Sequence, residues 1–61
     1  MLFLDNFRLV EQGILEEYAV GINEMDKELF QAILTILNKF NIDYSLIREK
    51  EKIILVARKH V

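Results

Sequence analysis

The 61-residue sequence contains no cysteine, no proline and no tryptophan, and only two glycines. Without cysteine there is no disulfide framework, no thiolate nucleophile and no cysteine-ligated zinc. Gly13 and Gly21 stand alone, so there is no glycine-rich loop to cradle a phosphate. The longest uninterrupted apolar run is Ile53 to Ala57, far short of the roughly 20 residues of a membrane-spanning helix. Met1 to Asp5 lacks the basic start and the apolar length of a signal peptide, which makes the cytoplasm the expected location. Disorder is disfavoured as well. A net charge of −2 with 52% hydrophobic residues and a mean hydropathy of +0.17 lies far from the polar, highly charged composition of disordered chains.

What remains is a single small domain over residues 1–61. A core this small supplies roughly 3–5 kcal/mol, and natural domains of this length usually add a disulfide, a metal or a second subunit. Cysteine is absent and the lone histidine, His60, sits near the C-terminus. Self-association is the staple left, and a homodimer is expected on size alone.

The strongest helical pattern runs from about Glu24 to Phe40. Asn23 is a suitable N-cap with Asp26 three residues on, and Asn41 is a suitable left-handed stop. Met25, Leu29, Ala32, Ile33, Ile36 and Phe40 share one face, and Phe30, Leu34 and Leu37 widen it to about 200°, where a surface helix needs little more than 100°. One sheet does not cover such an arc, so either the rest of the chain or a partner must.

Ile42 to Arg48 and Lys52 to Lys59 alternate as two strands of a hairpin. Placing Arg48 opposite Ile53 pairs Tyr44 with Ala57 and Leu46 with Leu55 on one face. On the other, Asp43 meets Arg58, Ile47 meets Ile54 and Glu49 meets Lys52. Opposite charges and matched apolar side chains agree in one register. The connection lacks glycine and asparagine, which favours a four-residue loop. Ile53 to Ala57, apolar on both sides, reads as a strand interior to a sheet or as one capped by another subunit.

Residues 1–22 admit two readings. As a helix, Leu4, Phe7, Val10, Ile14, Tyr18 and Ile22 keep three-and-four spacing, with Gly13 an internal cost of about 1 kcal/mol. As a hairpin, Val10 to Ile14 forms a loop with Gly13 left-handed, Arg8 faces Glu16, Leu9 faces Leu15, and Tyr18, Val20 and Ile22 alternate. The hairpin is preferred. The expected architecture is therefore α+β, a ββαββ order of two hairpins joined by a helix packed on a four-stranded sheet. The alternative is two helices followed by a C-terminal hairpin.

Residues suited to catalysis are sparse. Ser45, Thr35 and His60 are the only serine, threonine and histidine, and the hairpin register sets Ser45 opposite Val56 with His60 beyond its partner strand. The carboxylates lack calcium-loop spacing. No catalytic residue, metal or cofactor is expected. Charge is uneven: residues 1–30 hold seven acids against Arg8 and Lys27, a net of −5, and residues 31–61 carry a net of +3. The expectation is a non-enzymatic protein-interaction or regulatory module that self-associates through Phe30, Leu34, Leu37, Ile47, Ile54 and Val56, with another protein as a further partner. An alternative is nucleic-acid binding through Arg48, Lys50, Lys52, Arg58 and Lys59. A third is an acidic inhibitor that presents Glu16, Glu17, Glu24, Asp26 and Glu28 where phosphates would sit on a partner.

Overall fold

A computed structural model describes residues 2–59. Elements follow in the order α1 (Leu2–Glu11), β1 (Glu17–Asn23), α2 (Lys27–Lys39), β2 (Ile42–Glu49) and β3 (Lys52–Lys59). The α+β class holds; the ββαββ order does not. The sheet has three strands in the order β1-β3-β2, with both neighbours antiparallel to β3. β1 and β2 thus run parallel to each other, joined by α2 and held apart by the strand that follows them both.

The N-terminal hairpin is replaced by a helix and a strand. Phe7 and Val10, three apart and both fully buried, lie on one side of α1. Gly13 does adopt a left-handed φ of 80°, but as the residue past a helix end rather than in a hairpin loop. Its N–H donates to the Val10 carbonyl at 3.0 Å, and the Ile14 N–H donates to the Leu9 carbonyl at 2.9 Å. That pair of bonds satisfies the last carbonyls of a helix and is a Schellman closure. Arg8 and Leu9 are therefore helical and face no strand, while Tyr18, Val20 and Ile22 alternate as expected on a strand whose partner is β3.

α2 starts later than the sequence pattern suggested. Asn23 does not cap it; its side chain accepts the Met25 N–H at 2.9 Å in a local turn. Asp26 is the N-cap and accepts the Leu29 N–H at 3.2 Å. At the far end Asn41 takes φ 56°, the left-handed stop expected of it. The β2–β3 register agrees at every expected pair, from Asp43 opposite Arg58 to Glu49 opposite Lys52. The turn is tighter than four residues: only Lys50 and Glu51 lie outside the strands, with Lys50 at φ 35°. The Glu24 N–H donates to the Glu51 carbonyl at 2.8 Å and ties the turn to the segment that follows β1.

Phe7, Val10, Ile22, Ile33, Leu37, Ile42, Leu55 and Ala57 form one buried cluster. Ile22, Ile42, Leu55 and Ala57 all project from the same side of the sheet, so both helices cover that side and leave the other open. α1 lies against β1 and β3, where Phe7 meets Tyr18 edge-on with ring centroids 5.4 Å apart. Part of the wide apolar arc of α2 is thus covered by the chain itself, since its Ile33 and Leu37 join Phe7 and Val10 of α1 in that cluster.

Candidate interaction surface

The open face of the sheet is ordered by register into four cross-strand rows. Glu17, Arg58 and Asp43 form one end, and Asn23, Lys52 and Glu49 form the other. Between them lie Ala19, Val56 and Ser45, then Gly21, Ile54 and Ile47. Two rows of small or apolar residues are therefore bounded by two rows rich in charge. Ile54 and Val56 are half-buried by their strand neighbours, and Ile47 is 50% exposed.

The helix side of β2 is also incompletely covered. Ile42 is buried, but every residue from Asp43 to Glu49 is exposed. Tyr44 and Leu46 project toward the helices and still keep 39% and 48% of their surface. The register that pairs them with Ala57 and Leu55 turns them to that side, and they stay exposed because α2 closes only the Ile42 end of the strand. No periodicity in the chain encodes that lateral offset.

The six residues expected to self-associate divide into two groups. Ile47, Ile54 and Val56 come together on the open face. Phe30 and Leu34 are half-buried against the core on the opposite side of the sheet. Leu37 is fully buried and has no surface to offer a partner, which corrects its assignment. A 200° arc shows that a helix is apolar on most sides, but not which side faces inward.

The basic residues do not converge. Lys52 and Arg58 stand at opposite ends of β3, about 20 Å apart along the strand. Arg48 projects to the helix side and pairs with Glu24, and Arg58 pairs with Glu17 at 3.1 Å on the open side. The Lys59 side chain crosses the end of α1, its Nζ lying 3.3 Å from where a Cβ on Gly13 would stand, near the negative end of that helix. Lys50 occupies the turn. The acids are equally dispersed: Glu16 and Glu17 sit at one end of β1, Glu24, Asp26 and Glu28 at the other. Both arginine–glutamate pairs join the acidic half of the chain to the basic half, so part of the charge asymmetry is spent inside the fold.

Ser45 lies on the open face opposite Val56, and the Thr35 hydroxyl donates to the Gln31 carbonyl within α2 at 2.9 Å. His60 lies outside the described residues. Among the described residues no group of three histidines or carboxylates is placed to hold a metal, and no helix is long and apolar enough to cross a membrane. Comparison with protein-family models, with curated proteins and with solved structures finds no match.

Proposed function

We propose that this chain is a non-enzymatic interaction module of the cytoplasm that works as a homo-oligomer, and that β2 with the adjoining open face is its contact surface. The observation that supports this is the distribution of uncovered apolar side chains. Tyr44, Leu46 and Ile47 are exposed on both sides of a single strand, next to half-covered Ile54 and Val56. Phe7 and Val10 of α1 and Leu29, Phe30, Ile33, Leu34, Ile36 and Leu37 of α2, by contrast, lie in the core or pack against it. Contiguous apolar surface rimmed by polar residues is characteristic of protein contacts. A second copy is the fitting occupant, because it offers an equally apolar strip whose end rows carry their own counter-charges. It also supplies the buried area that a chain of this length lacks.

The test is solution mass by sedimentation equilibrium across a wide concentration range, for the unaltered chain and for Ile47→Glu. Ile47 is exposed, so the variant should keep its circular dichroism while its mass falls to that of a monomer. A monomer at all concentrations for the unaltered chain overturns the reading. A mobility shift of nucleic acid that weakens steeply with salt would favour the basic hairpin instead.

A further inference from the structure

We propose that two copies join edge to edge, β2 against β2 of the partner in antiparallel fashion, about a two-fold axis that passes Ser45. Two three-stranded sheets become one of six. This rests on the self-association reading and specifies the part β2 plays in it; Ile54 and Val56 of the central strand stay on the open face, outside this joint.

The two edges of the sheet are not equivalent. β1 is roofed on its helix side by α1, with Tyr18 against Phe7 and Ile22 buried. β2 runs for eight residues, exposed from Asp43 onward, with its outer row of backbone groups facing no strand of its own chain. Natural edge strands are usually guarded by proline, lysine, a bulge or a covering loop. Between Ile42 and Ile47 the only charge is Asp43. An eight-residue edge whose charges, Asp43, Arg48 and Glu49, lie toward its ends and whose middle exposes Tyr44, Leu46 and Ile47 fits a strand that has a neighbour.

Charge and length select the register. Opposed residues in an antiparallel pair share a face, so a two-fold axis must pass one residue of the strand. An axis at Ser45 engages residues 42–48, and an axis at Leu46 engages 43–49. Moving it to Tyr44 or Ile47 shortens the ladder to five residues. The Leu46 register sets Asp43 opposite the partner's Glu49, twice by symmetry, and like charges directly opposed are destabilising. The Ser45 register has no such clash. It sets Tyr44 opposite the partner's Leu46 and Leu46 opposite the partner's Tyr44, so the two side chains that α2 leaves uncovered cover each other. Asp43 meets the partner's Ile47, and the serines meet at the axis.

The chain has no cysteine, so a single introduced one reports its own neighbourhood. Opposed Cα atoms in an antiparallel ladder are about 4.5–5.5 Å apart, inside the roughly 4.4–6.8 Å range a disulfide spans. Ser45→Cys should oxidise to a covalent dimer at least about tenfold faster than Leu46→Cys, whose two Cα atoms would be more than about 7 Å apart in this register. Lys50→Cys, in the turn, sets the rate of random collision. Circular dichroism checks that each variant is folded, and sedimentation equilibrium under reducing conditions checks its non-covalent mass. Faster linkage at Leu46→Cys overturns the register. A dimeric mass with Ser45→Cys no faster than Lys50→Cys overturns the edge contact and leaves self-association standing. A monomeric mass throughout overturns both.

Discussion

β1 and β2 flank the same central strand with almost the same side chains. Tyr18 and Tyr44 both oppose Ala57, Val20 and Leu46 both oppose Leu55, and Ile22 and Arg48 both oppose Ile53. Yet on β1 these positions are half-buried or buried, while on β2 they are exposed. What a strand carries on its inward side does not decide whether that side is covered; where the helices lie does. α1 sits over β1 and β3, and α2 meets β2 only near Ile42. The difference separates an edge that belongs to the core from one that is left to a partner.

Truncations on the two edges should therefore differ most. Ile22→Ala should cost about 2–5 kcal/mol, enough to unfold much of a domain this small, whereas Leu46→Ala should cost under about 1 kcal/mol at concentrations where the chain is monomeric. Urea denaturation followed by circular dichroism measures both, and equal costs would break the comparison. Gly13→Ala, which loosens the end of α1 over β1, should cost about 1–2 kcal/mol. A Cβ there meets both a left-handed backbone and the Lys59 side chain, and the same denaturation series reads the loss. Gly21→Ala should act in the opposite sense. Its nearest atom, Ile54 Cδ1, lies at an ordinary 3.8 Å, and removing a glycine from a strand should raise stability by about 0.5–1 kcal/mol, seen as a higher thermal midpoint. The smallest effect belongs to Arg48→Gln. This removes an exposed pair with Glu24 and should cost under about 1 kcal/mol, a difference that fades in denaturation at molar salt.

The hairpin was the most legible part of the chain because its information is local. Asp43–Arg58, Glu49–Lys52 and Ile47–Ile54 each favour one register, and no other agrees with all three. The apolar run of Ile53 to Ala57 likewise marked β3 as the interior strand. Residues 1–16 were misread at Gly13. A hairpin loop and a Schellman closure both call for a left-handed residue, so the glycine alone does not separate them. The Tyr18–Val20–Ile22 alternation signalled a strand, but its true partner lies more than thirty positions away, where sequence proximity gives no guidance. Of the candidate surface, Ile47, Ile54 and Val56 followed from the register. Leu37 was misplaced because its burial depends on how α2 is set over the sheet, a tertiary choice that periodicity does not carry.

Every backbone ladder in the sheet runs through β3, and β3 follows the other two strands in the chain. During synthesis, neither β1 nor β2 has a strand to pair with until residues 52–59 have been made and released from the exit tunnel. The helices can form on the way, but their apolar sides have no completed sheet to settle on. At about 5–20 residues per second, the interval between β1 and β3 is a matter of seconds, long compared with the formation of a helix or a hairpin. The order of strands thus makes assembly of the sheet wait for β3, which enters between two strands made before it.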